Sequence, residues 1–334
     1  MKVLVFGGTR FLGRHIVEAL SAFDHRVVAF HRGQSTCDLP NNVEERFGDR
    51  NADLSAISKE PWDAIVDVNC YAPAQMQRSL ELRTNAYLMV SSVNAYSDLS
   101  VNGVTETAPT IESFDPEDES LRYGGDKAAC ERLLFELYPQ SSTILRPGLI
   151  VGKWDYTGRF TYWCERMLRG GRVLAAAPAD RPIQFIDAAD IACFVERALS
   201  KGINGAFNLV GPAQRTAFQD VVSACSAVAQ ERGAPPSEIV WADETFLLEN
   251  GVQPWTELPL WLPDPQWSGV LEIDNSKALS AGLTTRPTAQ TIRAILDWTA
   301  ETGAHFGTGL TAERESELLG RYEALHSAAL QETT

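Results

Sequence analysis

The chain has 334 residues, 44% of them hydrophobic, and a formal net charge of −15 from 29 basic and 44 acidic side chains. That length accommodates one large α/β domain with a smaller lobe, and the apolar content excludes wholesale disorder. The acidic balance argues against broad contact with a nucleic-acid backbone or an anionic membrane surface, since neither offers such a protein a favourable field.

The first stretch, Val3-Leu4-Val5-Phe6, reads as a buried strand that runs straight into Gly7-Gly8-Thr9-Arg10-Phe11-Leu12-Gly13. Helical spacing follows in Phe11, Leu12, Ile16, Val17 and Leu20, and the strand-like run Arg26-Val27-Val28-Ala29-Phe30 completes a βαβ unit. This is the pattern of a dinucleotide cradle. Gly7 and Gly8 let the backbone turn sharply and approach a pyrophosphate, and Gly13 lets the helix pack close to the strand. The helix N-terminus then presents unpaired N–H groups and a positive dipole end to the phosphates. Arg10 stands where the pattern Gly-x-x-Gly-x-x-Gly has its middle glycine, so the match is partial.

The second strand ends in His31-Arg32-Gly33, with no carboxylate where the adenosine ribose is expected. An acid there would accept from the ribose hydroxyls and repel a 2′-phosphate, whereas Arg32 offers a planar cationic fork, with Arg10 as a second. NADP(H) is therefore favoured, NAD(H) remaining open. Asp49 and Arg50, in Phe47-Gly48-Asp49-Arg50, end a third strand at the cofactor edge. Asp49 can accept from the adenine amino group or can cap a turn.

A fourth strand, Trp62-Asp63-Ala64-Ile65-Val66-Asp67-Val68, delivers Asn69-Cys70-Tyr71 to the same edge, which places Asn69 and Tyr71 among the cofactor contacts. A helix is expected over 74–84, then the strand Ala86-Tyr87-Leu88-Met89-Val90-Ser91-Ser92, which brings two hydroxyls to the carboxyl edge of the sheet. Further on, Tyr123 and Lys127 lie four apart, which on a helix puts them on one face.

The glycine turn, Ser92 in Ser91-Ser92-Val93-Asn94-Ala95-Tyr96, and Tyr123-x-x-x-Lys127 together resemble the short-chain dehydrogenase/reductase superfamily, nearest its extended or atypical branch, often labelled NAD-dependent epimerase/dehydratase. Echoes run on through Leu145-Arg146-Pro147-Gly148, Gln184-Phe185-Ile186-Asp187 and Gly205-Ala206-Phe207-Asn208, so the resemblance covers about residues 1 to 300. It implies a doubly wound parallel Rossmann sheet with a smaller substrate-binding lobe. It also implies a catalytic set in which Tyr123 exchanges the proton, Lys127 lowers its pKa and bonds the nicotinamide ribose, and Ser92 bonds the reacting oxygen. Backbone at Pro147 and Gly148 is expected to approach the nicotinamide.

The expected division is 1–151 with 183–212 as the nucleotide domain, 152–182 with 213–300 as the substrate lobe, and 301–334 as a helical tail. The run Gln253-Pro254-Trp255-Thr256-Glu257-Leu258-Pro259-Leu260-Trp261-Leu262-Pro263 holds three prolines that exclude regular structure. It is either a pocket lid or a loop that packs on the domain or a partner. The six cysteines, Cys37, Cys70, Cys130, Cys164, Cys193 and Cys225, lack metal-ligand spacing and read as reduced thiols, so no metal is expected. With a sequence that opens on a core strand and has no bilayer-length apolar run, a cytoplasmic location is expected.

Three functions compete: a carbonyl reductase or dehydrogenase, a nucleotide-sugar epimerase or dehydratase, and a nucleotide-binding protein without chemistry. Dehydratases of this type place an Asp-Glu pair where this chain has Val93-Asn94, and epimerases carry an arginine just before the Phe-Ile step, where this chain has Ile183-Gln184. The reductase reading leads, with a small-molecule substrate, no nucleic acid and no membrane. The oligomeric state is not readable from the sequence; the resemblance leaves a homodimer open, since the Tyr123 helix pairs with its copy in many similar dimers.

Overall fold

The computed structural model describes residues 1–332 apart from Thr36, Pro116 and His305, with backbone alone for 328–332. The chain divides into two units, Met1–Ile150 with Gln184–Ala213 and Ser268–Arg286, and Val151–Ile183 with Gln214–Trp267 and Pro287–Thr334.

The first unit is built on a seven-stranded sheet, in the order Gly205–Leu209, Ser142–Pro147, Thr84–Val90, Trp62–Asp67, Lys2–Phe6, Arg26–His31, Glu44–Phe47. Every pairing is parallel. Alternation of side chains along the first strand explains why two separate cores form. Val3 and Val5 face a core with Ile16 and Leu20 of the helix Phe11–Ala22 and with Ile191 and Val195 of the helix Ala188–Lys201. Leu4 and Phe6 face another with Trp62, Tyr87, and Cys130 and Leu134 of the helix Glu119–Leu137. The edge strand Glu44–Phe47 alternates half-buried Glu44 and Arg46 with exposed residues, a charged edge that resists further pairing.

Strand order reverses at Lys2–Phe6, whose neighbours are the second strand on one side and Trp62–Asp67 on the other. Such a switch point opens a crevice at the carboxyl ends of the two strands, and the glycine turn after Phe6 lies there. The helix expected over 74–84 stops earlier, at Pro73–Ser79, because residues 80–83 turn the chain so that Thr84 can pair with Trp62.

The division departs from the expected one in two places. Ser268–Arg286 belongs to the first unit: Asn208 Nδ2 donates to the Asp274 carbonyl at 2.9 Å, Ile273 N–H donates to Gln184 Oε1 at 2.8 Å, and Ala278 and Leu283 are buried in its core. Residues 301–334 are not a separate tail but part of the second unit. Glu315 on the helix Ala312–Glu332 is 4% exposed and accepts from Arg166 Nε at 2.7 Å and from the Leu174 N–H at 3.2 Å.

The second unit packs the helices Arg159–Leu168, Phe218–Glu231 and Thr288–Thr302 together, beside a parallel strand pair, Gly171–Ala176 with Ser237–Ala242. Edge-to-face rings tie it: Trp163 to Phe218 at 5.0 Å and Phe218 to Trp241 at 5.8 Å. The proline-rich loop packs into this unit, with Leu258, Leu260 and Trp261 buried and Trp163 Nε1 donating to the Pro259 carbonyl at 3.0 Å.

Candidate functional site

Gly7 has φ +81°, a left-handed conformation that a side chain resists, and a Cβ there would lie 2.9 Å from Asn69 Cγ. A Cβ on Gly13 would lie 1.9 Å from the Gly7 carbonyl oxygen, so the first turn of the helix sits directly on the loop. Phe11 opens that helix at φ +38°, unusual for a residue with a Cβ and the kind of strain found at ligand sites. Arg10 precedes it in extended conformation, its side chain exposed. Thr9 lies in the glycine turn, and Leu12, the second residue of the helix, is buried. The arrangement fits a dinucleotide: a cradle that any side chain at Gly7 or Gly13 would fill, at the N-terminus of a twelve-residue helix, on the switch point.

Not every expected contact faces this crevice. Arg50 is buried, its Nη1 and Nη2 donating to the two Asp67 oxygens at 2.6 and 2.7 Å and its Nη2 to Ser79 Oγ at 2.9 Å. Its side chain is thus a core cation, and the expected cofactor contact through it is corrected on that ground. Burial alone would lower its pKa, but Asp67 overrides this and holds it above the ordinary range. Ser91 likewise turns inward, donating to buried Glu131, which also holds Arg146 Nε at 3.0 Å. Asp49 Oδ1 accepts from the Asn51 N–H at 2.9 Å, the turn-capping alternative. Pro147 ends its strand, and a Cβ on the following Gly148 would touch Val210 at 3.0 Å.

At the second strand's end, Nδ1 of His31 accepts from the Gly33 N–H at 3.2 Å, which leaves Nε2 as the protonated nitrogen, donating to Glu45 Oε2 at 2.9 Å. Glu45 therefore brings a carboxylate from the edge strand to a place where the second strand supplies none. Arg32 is exposed beside it.

Tyr123 and Lys127 lie on the helix Glu119–Leu137, whose start is capped by Asp118 accepting from the Ser120 N–H at 2.9 Å. Tyr123 is 46% exposed while Lys127 is 1% exposed. Lys127 Nζ donates to the Val90 carbonyl at 2.9 Å and lies 4.7 Å from the Tyr71 ring and 5.9 Å from the Tyr123 ring. Burial pushes its pKa below the ordinary lysine value, opposed by nearby Cys70 and Asp67. Gly124 explains how this helix reaches the sheet edge: a Cβ there would lie 2.0 Å from the Asn94 carbonyl oxygen. Ser92, 7% exposed, accepts on Oγ from the Asn94 N–H at 3.1 Å. Ser92, Lys127 and Asn94 are thus brought to one edge, with Tyr123 a helical turn from the ammonium.

Sequence reasoning missed Asp67 and Glu131 as partners of Arg50 and Arg146. The signal for Asp67 was available: a carboxylate inside an apolar strand must find a cation or hydrogen bonds, and it has both, since Tyr87 Oη donates to it at 2.8 Å. Among the described residues no cluster of metal-ligating side chains occurs, and no helix is long and apolar enough to cross a membrane.

A parallel sheet with a glycine turn at its switch point defines a nucleotide-binding α/β protein of the Rossmann type. The model of the NAD dependent epimerase/dehydratase family matches residues 3–210, and the chain belongs to that family. It is 27% identical over 260 residues to the chloroplast stem-loop binding protein of 41 kDa b of Arabidopsis thaliana, an alignment covering 72% of this chain and 65% of the relative. It is 32% identical over 136 residues to 2'-dehydrokanamycin reductase of Streptomyces kanamyceticus, covering 39% and 37%. The chain thus spans less than two thirds of either relative. The fold is that of the Bordetella bronchiseptica enzyme WbmH, solved in complex with NAD+, with a TM-score of 0.66 at 16% identity over 91% of this chain and 99% of that one. A nicotinamide dinucleotide is the cofactor class of this family.

Proposed function

We propose that the chain is an NADPH-dependent reductase of a small-molecule carbonyl, acting through Ser92, Tyr123 and Lys127. The observation that carries this reading is the buried Lys127 ammonium, held by the Val90 carbonyl one helical turn from the exposed Tyr123. A bound nicotinamide dinucleotide supplies the hydride. Tyr123 gives its phenolic proton to the carbonyl oxygen, and the adjacent ammonium stabilises the phenolate that remains. Ser92 Oγ accepts from the Asn94 N–H at 3.1 Å and donates to Asn94 Oδ1 at 3.3 Å, so the substrate oxygen would replace Asn94 Oδ1 as the acceptor of its proton. Gly7, Gly8 and Gly13 let the helix N-terminus reach the pyrophosphate, and Arg32 with Arg10 grips the 2′-phosphate.

Epimerisation with retained NAD is the second reading, favoured by Glu45, whose charge lies 2.9 Å from His31 Nε2. A nucleic-acid role like that in the Arabidopsis relative's name is opposed by the charge of −15. The six free thiols suit the reducing cytoplasm, the compartment we assign. The test is NADPH oxidation with a panel of carbonyl compounds, run in parallel with Tyr123→Phe. Net oxidation by the wild type alone supports the reading; equal oxidation by the variant removes Tyr123 from it.

A further inference from the structure

Arg181, in the second unit, has two guanidinium nitrogens without a hydrogen-bond partner among the described residues. Its guanidinium lies 4.0 Å from the Phe218 ring centroid, and Nη1 donates to the Leu260 carbonyl. Nε and Nη2 are enclosed and have no hydrogen-bond partner among the described residues. Burial lowers its pKa to about 10, the direction expected of a cation that lacks a counter-charge. Elsewhere in this chain the same Nε/Nη2 edge takes a carboxylate: Arg293 holds Glu231 at 3.0 and 2.9 Å, and Arg146 holds Glu131.

The segment that covers Arg181 is independently unusual. Leu260, which supplies its one carbonyl, has φ +69°, and Trp255 in the same loop has φ +63°, both in the left-handed region that non-glycine residues avoid. Trp261, next to Leu260, is 2% exposed and its Nε1–H is also unpartnered. An unpaired buried donor costs free energy, and so does a strained backbone; here three such donor atoms and two such residues meet in one loop and the arginine beneath it.

We propose that Arg181, roofed by residues 258–261, is a carboxylate-binding site of the second unit, taking a small organic acid with an apolar or aromatic body. The planar Nε/Nη2 edge presents two parallel donors, matched to one carboxylate, and a single guanidinium supplies a single countercharge. Trp261 Nε1, next in sequence to the Leu260 whose carbonyl Arg181 holds, is a further unpaired donor, and the buried side chains of Leu258 and Leu260 in the same segment suit an apolar ligand body. Entry requires the loop at Leu260 and Trp261 to shift, and the left-handed backbone of Leu260 is the strained point at which it would move. The assignment goes beyond the reductase reading and does not rest on it.

The experiment uses the full chain without cofactor, titrated at constant ionic strength with 3-phenylpropionate, its neutral amide, inorganic phosphate and pyrophosphate, and read by tryptophan fluorescence and thermal midpoint. The expected result is saturable binding of the carboxylate and none of the amide. Arg181→Met should weaken it about tenfold to a hundredfold, Arg181→Lys should restore part of it, and Arg293→Met should leave it unchanged. Trp261→Phe, which keeps a ring and removes one donor, should weaken binding severalfold even if Arg181→Met fails to fold. Absence of carboxylate binding to the wild type, equal binding to Arg181→Met or, should that variant not fold, to Trp261→Phe, or preference for phosphate or pyrophosphate overturns the proposal. None of these readouts involves hydride transfer, so a failed reductase reading and a failed acid site are separate results.

Discussion

Arg50 and Asp67 meet in a two-point ion pair, Nη1 to Oδ1 at 2.6 Å and Nη2 to Oδ2 at 2.7 Å, inside the first unit. Nη1 of Arg50 also donates to Asn69 Oδ1 at 3.0 Å, and the Asn69 side chain abuts Gly7. The pair therefore joins the turn after the third strand to the end of the fourth, and through Asn69 to the glycine turn. Breaking a buried pair strands one uncompensated charge, which costs about 3–5 kcal/mol. Arg50→Met and Asp67→Asn should each lose stability of that order in urea unfolding, and the double variant should lose less than the sum. Additive losses would mean that the two groups act independently.

The glycine turn makes a sharper demand, because a Cβ on Gly13 has only 1.9 Å to the Gly7 carbonyl oxygen. Gly13→Ala should push the helix off the turn and weaken dinucleotide binding at least tenfold, about 1.4 kcal/mol, in isothermal titration. Unchanged affinity would place the phosphates elsewhere.

Tyr123→Phe should abolish turnover and leave cofactor affinity nearly intact, since it removes one hydroxyl and keeps the ring. Lys127→Ala should weaken both, because the ammonium it removes lies near the Tyr123 ring and is assigned to the ribose. Single-turnover reduction and equilibrium binding separate the two effects; an active Tyr123→Phe enzyme would exclude the assigned proton donor.

On the function proposed above, cofactor choice rests on Arg32 against Glu45. One charge-assisted contact is worth about 1.5–3 kcal/mol, so the wild type should prefer NADPH to NADH by roughly tenfold to a hundredfold. Arg32→Ala should erase most of that ratio, His31→Asp should invert it, and Glu45→Gln should raise it by removing a carboxylate at the same end of the sheet. Binding constants for both nucleotides at fixed ionic strength decide, and a ratio untouched by Arg32→Ala would make Arg32 a solvated surface charge.

The first strand, its turn and the switch-point helix were legible because a period-2 apolar run, a glycine cluster and a 3.6-period run follow one another within twenty residues. That Tyr123 and Lys127 share one helix was legible through their spacing. The partners of Arg50 and Ser91 were not: Asp67 and Glu131 lie 17 and 40 residues away along the chain, and only the sheet register and the helix packing bring them together. Glu45 was invisible for the same reason, since it reaches His31 across a strand pairing. The return of Ser268–Arg286 to the first unit rests on bonds between its backbone and the distant side chains of Asn208 and Gln184, which no local pattern announces.

The most direct measurement of whether this chain spends its cofactor or recycles it is the nicotinamide nucleotide released when the purified protein is denatured. A reductase exchanges cofactor at every turnover, so the release should fall well below one equivalent per chain, and added NADPH should bind reversibly. One full equivalent of NAD per chain, retained through purification, would contradict the reductase account and favour epimerisation.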